Sequence, residues 1–137
     1  MSFKFGLSSL KQLGTCHPDL QKVLNEAIKT YDFSVLQGFR NEEDQNRAYA
    51  EGNSKKRWPD GEHNKYPSEA VDLIAYDKDG MPWKDSVRFG VLIGHIQSAA
   101  TRVGVKIRCG LDWDMDGKSE DEKFKDLGHI ELYKVDG

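Results

Sequence analysis

The chain is poor in the features that would mark several protein classes. Cysteine occurs twice in 137 residues, as Cys16 and Cys109. They lie far apart, without the close pairing of a zinc knuckle, and read as two reduced thiols. No apolar run approaches the ~20 residues that cross a bilayer. The opening "MSFKFGLSSLKQLG" has no apolar signal core and no cleavage site, so no secretory signal is expected and the chain should stay in the cytosol of the cell that makes it. Basic excess is absent as well. Lys and Arg total 20 against 23 Asp and Glu, a net charge of −3, which argues against nucleic acid or an anionic membrane as partner. There is no internal repeat, low-complexity tract or linker.

What remains is an ordinary globular composition, 37% hydrophobic and 31% charged, with a length that suits one domain. Residues 1–137 are therefore expected to form a single unit, and a monomer. In "PDLQKVLNEAIKTY", Leu20, Val23, Leu24, Ala27, Ile28 and Tyr31 share one helical face, predicting a helix from Pro18 to Tyr31. "FSVLQGFR" reads as a strand from Phe33 running into a loop at Arg40. Asn41 should cap a helix that Gly52 ends. Residues 53 to 68 form a polar loop, "EAVDLIAY" a buried strand, and "DKDG" a turn. A longer helix runs from Asp85 or Ser86 to Val103 and is closed by Gly104. "VKIRC" and "HIELYK" are two further strands around an acidic stretch, 110 to 126. This order predicts an α+β fold with a small, mainly antiparallel sheet flanked by helices.

Asp72 is out of place in its strand. A buried carboxylate needs a counter-charge, hydrogen bonds or a metal. Of four histidines, His95 falls on the apolar stripe of the long helix and His17 at the start of the first, so both read as structural. His63, in the loop before the Asp72 strand, and His129, opening the last strand, differ. Two imidazoles and a carboxylate form an open zinc site with one position left for water, in a cleft over the sheet. An ion pair of Asp72 with Arg or Lys accounts for the same residue. Asp126, three positions before His129, is placed to act as a proton-transferring base. Arg40 is placed to stabilise an oxyanion, or else forms a surface salt bridge.

These segments resemble the VanY-like D-Ala-D-Ala metallopeptidases, and most closely the small phage endolysins with L-alanyl-D-glutamate endopeptidase activity. The resemblance spans nearly the whole chain and rests on "VLQGFRNEEDQ", "EHNKYPSEAVDLIAY", "CGLDW" and "DLGHIEL". It implies one zinc on His63, Asp72 and His129, Asp126 and Arg40 as catalytic residues, and Gln45 of the Gly38-Arg40-Gln45 pattern at the substrate. The common pattern is Ser-x-His-x6-Asp. Here Gly61 replaces the Ser, and the gap from His63 to Asp72 is two residues longer. Lys65 stands at the shorter spacing, and a protonated Lys cannot ligate zinc.

The implied role is hydrolysis of peptidoglycan stem peptides at the L-Ala–D-Glu bond, with the enzyme held in the host cytoplasm until a holin opens the membrane. No separate wall-binding module is expected. A D-Ala-D-Ala carboxypeptidase or dipeptidase, and a non-catalytic metal-stabilised domain, are the rivals. "DWDMDGKSEDE" begins like a calcium loop, with Asp112, Asp114 and Asp116 at ligand positions one, three and five, Gly117 at the sharp turn and the Lys118 carbonyl next. Position twelve is Lys123, and Glu122 one residue earlier could substitute. Calcium bound there would order the stretch before Asp126 and so regulate hydrolysis.

Overall fold

The computed structural model describes residues 3–52, 54, 56–76, 86–110 and 128–133. Its elements are helix α1 (Leu7–Leu13), helix α2 (Pro18–Ala27), strand β1 (Phe33–Gln37), helix α3 (Glu42–Ala50), a short 3-10 turn (Glu62–Asn64), strand β2 (Ala70–Ala75), helix α4 (Ser86–Val103), strand β3 (Ile107–Cys109) and strand β4 (His129–Leu132). The four strands form one sheet in the order β1-β2-β4-β3, with every neighbouring pair antiparallel. This is the expected α+β architecture.

Strand alternation divides the sheet into two faces. Val71, Leu73 and Ala75 of β2, Phe33 and Val35 of β1, Ile107 and Cys109 of β3 and Ile130 of β4 join the core. Leu20, Val23, Leu24 and Ala27 from α2 and Leu92, Ile96 and Ala99 from α4 complete it, all fully buried. Burying each Leu or Ile of this layer is worth roughly 1.5–3 kcal/mol. The residues between them therefore point to the other face, and these include Asp72, Arg108, His129 and Glu131. The second face of β2 is covered as well, since Ala70 and Ile74 are buried.

Helix ends follow their sequence signals. His17 caps α2 by accepting a hydrogen bond from the Asp19 amide at Nδ1, and Pro18 is the first helical residue. Asn41 accepts from the Asp44 amide at the start of α3. Gly52 and Gly104 adopt φ of 79° and 75°, the left-handed region where only glycine is unstrained. His95 stacks on Tyr31 at 4.7 Å and meets the Thr30 hydroxyl at 3.2 Å, which fits its structural reading. Helix α2 stops at Ala27, earlier than the periodicity suggested, with Lys29 and Thr30 continuing in tightened i→i−3 turns.

Helix α1 lacks an amphipathic signature. It buries only Ser9 and Leu13 and leaves Leu7 and Leu10 exposed. Its contribution is polar. β1 is an edge strand, and α1 meets its outer backbone: the Ser9 hydroxyl accepts from the Val35 amide at 3.0 Å, and Gln12 Oε1 from the Gly38 amide at 3.2 Å. The Thr15 hydroxyl that follows accepts from the Phe39 amide at 2.8 Å. The edge is thereby satisfied, and the segment leading to Arg40 is fixed. Gly38 is wedged here. A Cβ would meet Gln12 O at 2.7 Å, Cys16 Sγ at 2.8 Å and the Thr15 hydroxyl closer still. Cys16 and Cys109 are both free and buried. Burial, opposed by a hydrogen bond from Thr15, pushes the Cys16 thiol up to about 11, so it is protonated and inert at neutral pH. Among the described residues no helix is long and apolar enough to cross a membrane.

Candidate metal centre

β2 and β4 bring the first two site residues together by register alone. Asp72 and His129 are direct cross-strand partners. They share the face away from the helices, so Asp72 Oδ1 lies 3.2 Å from His129 Nδ1. Gly128 makes this approach possible: its carbonyl accepts from the Leu73 amide at 2.9 Å, and a side chain at 128 would run into the Leu73 carbonyl. His63 arrives from the loop side, on the 3-10 turn. Its Nε2 lies 3.3 Å from Asp72 Oδ1 and 3.2 Å from His129 Nδ1. The longer His63–Asp72 gap is thus taken up by a turn, and His63 still reaches the strand. Lys65 points elsewhere, pairing with Glu62 at 3.0 Å and Glu69 at 3.8 Å.

Hydrogen bonding assigns the proton of a neutral His63. His63 Nδ1 donates to the Gly38 carbonyl at 2.7 Å, so the neutral ring leaves Nε2 bare. His129 meets a carboxylate at each ring nitrogen: Nδ1 lies 3.2 Å from Asp72 Oδ1 and Nε2 lies 3.0 Å from Glu131 Oε1. Two ring nitrogens and a carboxylate oxygen converge within 3.2–3.3 Å of one another. Both histidines are buried. With both nitrogens deprotonated, a cation among them would meet two lone pairs and a negative charge.

The spacing fits one. Corners of a tetrahedron with such edges lie about 2.0 Å from its centre, a Zn–N or Zn–O bond length. Each ligand has the outer partner that metal-bound groups ordinarily have: Gly38 for His63, Glu131 for His129 and Arg40 for Asp72. Among the described residues, His63, Asp72 and His129 form the group of His, Cys, Asp or Glu side chains that could hold a metal ion.

Asp72 therefore has both partners that the sequence left open. Oδ1 faces the imidazoles, while Oδ2 accepts from Arg40 Nη2 at 3.1 Å. Burial alone pushes its carboxyl up; His63 and His129 outweigh this and hold it well below the usual carboxylate range. Burial also raises Glu131, and its hydrogen bond to His129, the His129 charge and Arg108 reverse the shift and lower it.

Arg40 is no surface residue. Its side chain is 12% exposed. Nε donates to Gln37 Oε1 at 2.9 Å and Nη1 to Gln45 Oε1 at 3.2 Å, and its amide donates to the His63 carbonyl at 2.9 Å. Gln45 corrects an expectation. It is 1% exposed, and its amide is committed on both sides: Oε1 accepts from Arg40 and Asn64, and Nε2 donates to Ser54 Oγ and the Lys56 carbonyl. It braces Arg40 and has no free group for a substrate. Sequence reasoning missed Asn64, Gln37 and Glu131. Asn64 and Gln37 carried no local signal. Glu131 did: it lies two positions after His129, so a strand puts both on one face. Asp126 and the calcium-loop residues Asp112, Asp114, Asp116, Lys118 and Glu122 lie outside the described residues.

The family model for phage L-alanyl-D-glutamate peptidase matches residues 1–133. The L-alanyl-D-glutamate peptidase of Escherichia phage T5 is 35% identical over 137 residues, covering 96% of this chain and 99% of that protein. The crystal structure of the L-Ala D-Glu endopeptidase ChiX of Serratia marcescens superposes with a TM-score of 0.75, at 23% identity, over 95% of this chain and 90% of the other, which establishes a shared fold. The chain belongs to the phage L-alanyl-D-glutamate peptidase family.

Proposed function

We propose that this protein is a zinc-dependent endopeptidase that hydrolyses the L-Ala–D-Glu bond of peptidoglycan stem peptides. The observation that carries the metal requirement is the meeting of three potential ligand atoms, His63 Nε2, Asp72 Oδ1 and His129 Nδ1, at 3.2–3.3 Å. Family membership and the names of its relatives support the substrate. The donor set, two imidazoles and one carboxylate, is that of a catalytic zinc site. Held by His63, Asp72 and His129, zinc would supply Lewis acidity for attack of water on the scissile carbonyl.

The protein's own groups do the rest. Asp126 takes a proton from water and passes it to the departing D-Glu amine, a role supported by its place three residues before His129. Arg40, braced by Gln37 and Gln45 against Asp72, keeps a fixed positive charge beside the cluster, where the carbonyl oxygen gains negative charge. The domain acts as one catalytic unit over residues 1–137 and as a monomer. The acidic stretch from Asp112 to Glu122 binds calcium as a regulator through Asp112, Asp114, Asp116, the Lys118 carbonyl and Glu122. In the infected cell the enzyme accumulates in the host cytoplasm and reaches the wall when a holin opens the membrane, completing lysis.

Purified peptidoglycan, digested and read by mass spectrometry, tests the bond. New peptides beginning with D-Glu support this assignment. Release of free D-Ala instead would make the enzyme a D-Ala-D-Ala carboxypeptidase or dipeptidase. No product from zinc-loaded protein would leave a non-catalytic metal-stabilised domain.

A further inference from the structure

The surroundings of the metal centre differ in chemistry from one sheet edge to the other. Asp72 and His129 lie on the two central strands, β2 and β4. Toward the β3 edge the neighbours are ionic: Glu62, Arg108 and Glu131, with Leu132 and Tyr133, line a cavity of about 160 Å³. Past the end of β1, the other edge strand, they are aromatic. Phe39 meets Tyr66 edge-on at 5.4 Å and Trp58 edge-on at 6.3 Å.

These three rings stand outside the hydrophobic core. Phe39 and Trp58 are half-buried, whereas Tyr66 is 70% exposed, and Pro59 and Pro67 beside them are exposed as well. A contiguous apolar surface of this kind marks a place of contact. Its position ties it to the metal centre. Phe39 directly precedes Arg40, and Tyr66 comes three residues after His63. The Arg40 amide donates to the His63 carbonyl at 2.9 Å, and Asn64 Nδ2 donates to the Arg40 carbonyl at 3.0 Å. The two segments that carry the rings are thus joined where they carry the site.

A glycan-linked stem peptide has the same division. Beyond the L-Ala–D-Glu bond it carries the D-Glu carboxylate and further charged residues. Before the bond, a single L-Ala leads to the lactyl group of an uncharged amino sugar. One residue spans about 3.5 Å and the lactyl link a similar length, so the sugar must rest on the surface next to the metal centre. We propose that Tyr66, backed by Phe39 and Trp58, is a docking surface for the glycan strand of peptidoglycan. The apolar C–H face of the sugar packs on the Tyr66 ring, and the charged part of the stem peptide leaves toward Arg108 and Glu131. The proposal rests on the endopeptidase reading above.

Two substrates with the same stem peptide, given to zinc-loaded protein, test it. One is attached to an N-acetylglucosamine–N-acetylmuramic acid disaccharide; the other has an acetylated L-Ala and no sugar. The wild type should cleave the first with the higher kcat/KM. Tyr66→Ala should lower that preference about 2–10-fold, through KM, and Tyr66→Trp, which keeps a ring, should retain it. Peptide-free glycan chains titrated into the wild type should shift the NMR signals of the Tyr66 ring. Unshifted signals overturn the proposal. So does a Tyr66→Ala protein that loses equally on both substrates, since the rings would then only brace their loop. Cleavage of both substrates by the wild type at L-Ala–D-Glu with equal kcat/KM would leave the endopeptidase standing and overturn the docking surface. Tyr66 shifts with glycan, but cleavage of neither substrate, would uphold the docking surface and overturn the endopeptidase reading.

Discussion

At the scale of single residues, the site is a problem in placing protons and charges. Asp72 can sit in a hydrophobic strand because each of its oxygens has its own neighbour, Arg40 at Oδ2 and the two imidazoles at Oδ1. Replacing Asp72 with Asn removes the charge that a cation needs. Asp72→Asn should abolish stoichiometric zinc binding, read by elemental analysis of the dialysed protein. In the proposed mechanism Asp126 acts on water and the leaving group, not on the metal. Asp126→Ala should therefore retain one zinc and a native circular dichroism spectrum while losing about 10²–10⁴-fold in hydrolysis. A variant with full activity would require a different base. The acid limb of stability follows from Asp72 and Glu131, whose carboxyls titrate below their ordinary values of 3.8 and 4.5 in the folded protein. The unfolded chain thus binds these protons at higher pH than the folded one. Their stabilising contribution is complete above about pH 5 and is lost as pH falls through those ordinary values toward the folded ones. Urea midpoints of metal-free protein should drop as pH falls below about 5. A midpoint that rises on acidification would contradict the assignment.

At the scale of elements, pairing and packing bring residues that are distant in sequence into one site. Asp72 and His129 meet because β2 and β4 are antiparallel in a register that pairs them, and a one-residue slip would send His129 to the helix face. Gly128 and Gly38 hold the two approaches. Gly38 packs against Thr15, Gln12 and Cys16 and offers its carbonyl to His63. Gly38→Ala should cost about 1–3 kcal/mol by overpacking and weaken zinc binding, since the carbonyl that orients His63 must move. Denaturant titration and chelator competition on the same sample would check both. Legibility in the sequence divided along the same line. α2 and α4 announced themselves by helical periodicity, the caps at Pro18 and Asn41 by residue type, and β2 by its apolar run. The ligands could be named because an acid in such a run and a histidine after a glycine are locally conspicuous. The arrangement of α1 was not legible: it works through Ser9 and Gln12 hydrogen bonds to a strand edge, which leave no hydrophobic pattern. Gln45 was assigned to substrate because a spacing pattern places a residue in the chain but does not say which way its side chain turns.

At the scale of the whole molecule, the sheet separates two tasks. One face packs on α2 and α4 to form the core, and the other carries the polar cluster. Losing core volume should therefore lower stability without dismantling the site. Leu24→Ala, on α2 and fully buried, should lose about 2–5 kcal/mol of unfolding free energy and still bind one zinc below its melting transition. The most direct test of the central claim, that three converging acceptors exist to hold one cation, is a titration of chelated protein with zinc while new D-Glu amino termini are counted on peptidoglycan. The account predicts no cleavage without metal and recovery that saturates at one zinc per chain. Undiminished cleavage by rigorously metal-free protein would contradict it.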